Sequence, residues 1–78
     1  MSEMDKLMER HSNKQEVRTL FSAYRSVLHV LAAEAHWLRR KSEDGLDYTL
    51  EADLIESQAR SLEQNFARQL RLRAGEKT

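Results

Sequence analysis

The chain has 78 residues, and its 13 Lys and Arg side chains balance its 13 Asp and Glu side chains. It contains no Cys, which excludes disulfides, thiolate metal sites and cysteine nucleophiles. The longest apolar run, Val30 to Ala33, is far shorter than the roughly 18 residues of a membrane span, and no basic segment precedes an apolar leader. We therefore expect one small cytoplasmic domain, with no overall charge attracting it to nucleic acid or a membrane.

The breaker residues indicate an all-helical chain, because there is no Pro and both Gly residues come late in the sequence. Residues 1–78 are predicted to form one domain with these parts: an N-terminal segment 1–12 with weak helical character, helix 14–41, a turn 42–47, helix 48–73 and a tail 74–78.

Capping residues stand near the predicted helix ends. Ser2 and Asp5 have capping-box spacing, as do Ser12 with Gln15 and Asn13 with Glu16. Asp47 or Thr49 is expected to cap the second long helix, and Gly75 is expected to end it. On the N-terminal segment, apolar residues share one side: Met1, Met4, Leu7 and Met8.

The two long helices need different amounts of cover. Helix 48–73 has a narrow apolar stripe formed by Tyr48, Ala52, Ile55, Ala59, Leu62, Phe66 and Leu70. Helix 14–41 has an apolar arc about 220° wide at 100° per residue, formed by Val17, Leu20, Phe21, Ala23, Tyr24, Val27, Leu28, Val30, Leu31, Ala35, Trp37 and Leu38. A single neighbouring helix covers about half of such an arc.

This imbalance predicts an antiparallel two-helix hairpin that pairs into a four-helix bundle, either as a homodimer or with another helical protein. The alternative is that the N-terminal segment folds back and covers the remaining apolar surface. The residues expected at the partner interface are Phe21, Tyr24, Leu28, Val30, Leu31, Trp37, Leu62 and Phe66. The same side chains are equally suited to an intramolecular core.

No residue pattern supports catalysis or ligand binding. His29 and His36 are seven residues apart, about 10 Å along a helix, which is too far to chelate one ion as a pair at i and i+4 would. Ser26 and His29 have no acid placed to orient the imidazole. We expect no catalytic, cofactor, metal or small-molecule site, and hence no enzyme.

The polar side of helix 14–41 carries a basic stripe. At 100° per residue, its members fall within about 60°, and neither Glu16 nor Glu34 lies among them. The stripe consists of Arg18, Arg25, His29, His36 and Arg40. Such a stripe suits a phosphate backbone, an acidic protein surface or solvent alone.

Two families resemble parts of the chain. The start at Val17-Arg18, the polar turn and the segment 58–63 (QARSLE) resemble the small helical-hairpin co-chaperones of type III secretion needle subunits. This resemblance spans 17–70, with an insertion near the turn, and implies a non-enzymatic partner of a larger helical-repeat chaperone.

The segment around Ala52-Asp53 and Glu56-Ser57 resembles Rop-like plasmid copy-number proteins, helical hairpins that dimerise into four-helix bundles and bind paired RNA loops through their first helix. Gln58 and Asn65 stand where that family has apolar core residues. We therefore expect a regulator, adaptor or co-chaperone of bacterial or phage origin that acts through protein binding. The alternative function is a Rop-like regulator that binds RNA or DNA through the basic stripe.

Overall fold

The computed structural model describes residues 2–42 and 45–76. Within these residues the chain forms three α-helices, α1 (Glu3–Arg10), α2 (Gln15–Ser42) and α3 (Thr49–Ala74), so the predicted all-α class is confirmed. Both long helices begin and end one residue later than predicted. Residue Met1, positions 43–44 of the predicted turn and positions 77–78 of the predicted tail lie outside the described residues.

Two of the predicted helix caps are present. The Asp5 backbone N–H donates to Ser2 Oγ at 3.2 Å and the Ser2 backbone N–H donates to Asp5 Oδ2 at 3.4 Å, which completes the capping box of α1. Gly75 ends α3 with φ 81°, a left-handed conformation that glycine adopts without a Cβ clash. Its N–H donates to the carbonyls of Arg71 and Leu72.

The start of α2 differs from the prediction. Because the helix begins at Gln15, Ser12 lies outside it, and the Lys14 carbonyl accepts the first helical bond from the Arg18 N–H at 3.1 Å. The Ser12 carbonyl instead accepts a bond from the Arg18 guanidinium at 2.6 Å. Lys14 directly precedes the helix, so the expectation that Ser12 with Gln15 or Asn13 with Glu16 caps it is wrong.

The start of α3 is stabilised by two side chains that precede the helix. Asp47 Oδ1 accepts from the Thr49 N–H at 3.1 Å, and this bond holds the pKa of Asp47 below its ordinary value. The Tyr48 N–H donates to the hydroxyl of Ser42, the last residue of α2, at 2.8 Å. The Ser42 hydroxyl donates in turn to the Leu38 carbonyl, so one side chain links the end of α2 to the start of α3.

Helices α2 and α3 lie side by side and run antiparallel. The rings of Tyr24 and Phe66 stack with their centroids 4.1 Å apart and an interplanar angle of 3°. Nearer the turn, the Arg39 guanidinium lies 2.7 Å from the Asp53 carboxylate and 2.9 Å from the Glu56 carboxylate. As the residue number rises along α2, the residue that it contacts on α3 has a lower number, as expected for antiparallel helices. The molecule is 49 Å long.

Helix α1 folds back onto one end of this pair. Its Met4 and Leu7 are buried together with Val17 of α2 and with Leu70 and neighbouring residues of α3. The alternative in which the N-terminal segment covers apolar surface is thus realised at the end where α2 begins and α3 ends. Among residues 2–42 and 45–76, only α3 packs beside the rest of α2.

Ion pairs flank the docked helix. The Arg71 guanidinium lies 2.8 Å from the Glu3 carboxylate, and this hydrogen bond lowers the pKa of Glu3. Glu76, beyond the end of α3, accepts hydrogen bonds from His11 and from Arg10, and these bonds lower its pKa. Both carboxylates thus contribute charge-assisted bonds that hold α1 against α3.

A pair of leucine truncations tests the core at the α1 end. Leu70 has no exposed surface, whereas Leu72 is 56% exposed on the same helix. We expect Leu70→Ala to lower the free energy of unfolding by about 2–4 kcal/mol, because it leaves a cavity between the helices. Leu72→Ala is the matched control and is expected to change it by less than about 0.5 kcal/mol. Urea denaturation at fixed protein concentration measures both, and equal effects would contradict this core.

The Glu76 contacts predict a pH-dependent contribution to stability. The pKa of the Glu76 carboxylate is lowered in the folded chain, so this group stabilises the fold fully above its unfolded pKa, about 4.5. The stabilisation is lost as the pH falls through the lower, folded pKa. Glu76→Gln should therefore lower the thermal midpoint at neutral pH, and the difference from wild type should vanish in strong acid. Glu9→Gln, an exposed change on α1, is the control. A difference that stays constant with pH would contradict the role of Glu76.

Candidate protein-association surface

Most of the predicted interface residues lie between helices of the same chain. Six of the eight are partly buried: Phe21, Tyr24, Leu28, Leu31, Leu62 and Phe66. Four of these six pack against the buried cluster, and Tyr24 stacks on Phe66. These side chains therefore contribute to contacts within the chain, the role that the sequence left open beside a partner interface.

The other two predicted interface residues are exposed. Val30 retains 57% and Trp37 retains 53% of its accessible surface. Val27, from the same apolar arc, is 45% exposed. Residues 27 and 25 project about 160° apart on a helix, so Val27 points away from the side of α2 that carries Arg25. Helix α1 lies on the Arg25 side, where Met8 and Arg25 line one groove that Val30 also borders. Val27 does not line this groove and stays exposed.

We call the exposed edge of α2 that contains these residues the outer stripe. Its members recur at spacings of three, four and seven, which places them within about 80° of one another at 100° per residue. All are exposed: Glu16, Ala23, Val27, Val30, Glu34, Trp37 and Lys41. The centre is mainly apolar, one end carries a carboxylate and the other an ammonium group.

The charged ends of the outer stripe are held loosely. The Glu16 carboxylate has only a long contact with Arg73, 3.9 Å, and its side chain is 71% exposed. The Lys41 ammonium lies 5.7 Å from the centroid of the Trp37 ring, a cation–π distance. Both charges therefore remain accessible to a partner.

Helix α3 exposes leucines that the sequence interpretation missed. Leu50 is 80%, Leu54 59% and Leu72 56% exposed. They fall outside the predicted stripe of the second long helix, and Leu54 and Leu72 project to the same angle because 18 residues make five turns at about 3.6 residues per turn. A helical projection that included every leucine would have shown a second apolar edge.

The basic stripe is exposed along the other side of α2. All five of its members are exposed: Arg18, Arg25, His29, His36 and Arg40. Arg18 donates to the Ser12 carbonyl, and the Arg25 guanidinium lies 5.8 Å from the centroid of the Phe21 ring. Among residues 2–42 and 45–76, none of the five is in an ion pair, whereas Arg39 next to them is paired with α3. Its two carboxylate partners raise the pKa of Arg39 above its ordinary value.

The described part of the chain has surface grooves and no assembled metal site. No group of three or more His, Asp or Glu residues in that part could hold a metal ion. The groove between α1 and α2 has a volume of about 680 Å³ and is lined in part by Met8, Phe21 and Arg25. Among the described helices, none is both long and apolar enough to cross a bilayer.

Comparison of the chain with protein-family models, with curated proteins and with solved structures gives no match.

Proposed function

We propose that this chain is a non-enzymatic protein-interaction module that buries the outer stripe against another protein molecule. In this proposal the α2–α3 pair acts as a helical hairpin and completes a four-helix bundle, either with a second hairpin of its own kind or with another helical protein. The observation that carries the proposal is the exposure of Val27, Val30 and Trp37. These side chains lie on one edge of α2, and each keeps 45–57% of its accessible surface.

Exposed apolar surface of this kind favours association because its removal from water lowers the free energy. Contiguous apolar patches rimmed by polar residues mark protein-binding sites on soluble proteins. A chain of about 80 residues buries only about 60–65% of its unfolded surface, so an interface adds stability that its own core lacks.

The role that fits this surface is that of a small cytoplasmic regulator, adaptor or co-chaperone. Its outer stripe would bind a helix of the partner in the way that a hairpin co-chaperone or a Rop-like hairpin uses its apolar faces. No reaction chemistry is needed for such a role. Specificity would come from shape and from the charges at the two ends of the stripe.

The substitution Val30→Asp tests this proposal, because a carboxylate in a buried apolar contact costs desolvation energy. We expect it to weaken association at least about tenfold, since burial of one valine contributes about 1.5–3 kcal/mol. Ser22→Asp adds the same charge about 80° away on α2 and is the control. Sedimentation equilibrium over a hundredfold concentration range, with helix content from circular dichroism, measures self-association.

Capture from the native host, with the wild-type chain and both variants as bait, measures association with other proteins. Loss of a captured protein with Val30→Asp but not with Ser22→Asp would support the proposal. A wild-type chain that stays a folded monomer and captures no protein through Val30 would overturn it.

The second candidate function is binding of RNA or DNA through the basic stripe. It is favoured by one observation: the stripe has five exposed members and no ion pair among the described residues. From Arg18 to Arg40 the stripe runs for about 33 Å at 1.5 Å per residue, which spans about one turn of a duplex.

If the basic stripe contacts phosphates, the affinity for nucleic acid should fall steeply as the salt concentration rises. Arg40→Ala should weaken binding of a looped RNA duplex and lower the slope of log affinity against log salt by about 1. Arg60→Ala, on α3 and outside the stripe, should have no such effect. Gel retardation at several salt concentrations measures both variants, and no retardation of looped or duplex RNA at low salt would rule out this candidate.

A further inference from the structure

The two ends of the outer stripe carry opposite charges. Glu16 lies in the first turn of α2 and Lys41 in its last turn, about 38 Å apart at 1.5 Å per residue. Between them lie the exposed apolar side chains Val27, Val30 and Trp37. A helix edge with an acid at one end, a base at the other and mainly apolar residues between, with Glu34 among them, is complementary to itself when a copy is turned end to end.

We propose that the outer stripe binds the outer stripe of a second copy of this chain, with the two α2 helices antiparallel about a twofold axis. This inference rests on the proposed function and deepens it by naming the partner and the register. In that register Glu16 of each copy lies opposite Lys41 of the other. Both pairs form together because the interface is isologous.

The same register matches the apolar residues. Because Glu16 lies opposite Lys41, any two residues that face each other across the axis have residue numbers that sum to about 57. Val27 of one copy therefore lies opposite Val30 of the other. Ala23 lies opposite Glu34 and one turn from Trp37 of the other copy. The small side chain of Ala23 leaves room for the indole ring and for water at the Glu34 carboxylate.

A parallel arrangement of the two stripes is unfavourable. It would place Glu16 opposite Glu16, Glu34 opposite Glu34 and Lys41 opposite Lys41, and like charges across an interface are repulsive. The dipoles of two parallel α2 helices would also repel each other, whereas those of antiparallel helices attract. Charge therefore selects the antiparallel register.

The remaining elements leave this interface accessible. Helix α1 docks on the side of α2 that carries Arg25, and although Val30 borders the groove beside Met8, Val30 keeps 57% of its surface exposed. The molecule is 49 Å long, so the outer stripe, about 38 Å from Glu16 to Lys41 at 1.5 Å per residue, runs along most of its length.

Charge reversal at the two ends tests the register. Glu16→Lys or Lys41→Glu alone turns two attractive pairs into two repulsive ones and should raise the dimer dissociation constant about tenfold. The double variant Glu16→Lys with Lys41→Glu restores opposite charges and should return the constant to within about threefold of wild type. An equimolar mixture of the two single variants should form a heterodimer as strong as wild type. Sedimentation equilibrium at low salt measures all of these constants.

The control for Lys41→Glu is Arg40→Glu, which makes the same charge change in the same helical turn but on the basic stripe. It should leave the dissociation constant unchanged. Circular dichroism checks that each variant keeps its helix content, and the mixture shows that both single variants remain able to associate.

Three results would overturn the inference: a wild-type chain that stays monomeric, single variants that dimerise as well as wild type, or a double variant as weak as the singles. The proposed function has a separate readout. A monomeric chain that captures another protein through Val30 retains that function without self-pairing, and a dimer insensitive to charge reversal associates through another face.

Discussion

The structure depends on one constraint, the width of the apolar arc on α2. A surface helix usually has an apolar stripe of about 100°, which one neighbour covers, whereas the arc on α2 is about twice as wide. Helix α3 packs along its centre, where Tyr24 stacks on Phe66. Helix α1 covers the Phe21 side near one end, where Met8 joins the cluster. The opposite edge, with Val27 and Val30, keeps much of its surface in water.

The charged side chains lie around the apolar contacts between the three helices. Ion pairs within the chain link the helices at both ends: Arg39 with Asp53 and Glu56 near the turn, and Arg71 with Glu3 where α1 docks. Exposed pairs of this kind contribute little stability each, but they fix which side of one helix meets the next. The basic stripe has no ion pair among the described residues, and the outer stripe has only the long, exposed contact between Glu16 and Arg73, 3.9 Å, so the charges of both stripes remain accessible to a partner.

Local sequence rules predicted the helices well. The spacing of Ser2 and Asp5 gave the capping box, and Gly75 gave the end of α3, because caps depend on residues within one turn. The start of α2 was predicted less well. Ser12 and Asn13 had the right spacing, but the helix begins at Gln15, so neither residue directly precedes it.

By itself, the sequence determined the helical class, the limits of the two long helices to within one residue and the excess of apolar surface on α2, because these follow from local periodicity and capping. Only the tertiary structure decided which of those apolar residues are covered. Tyr24 and Phe66 are partly buried against each other while Val30 and Trp37 are exposed, although all four belong to the same predicted interface. That division depends on where α1 and α3 dock, and helix periodicity carries no information about which neighbour lies beside which edge.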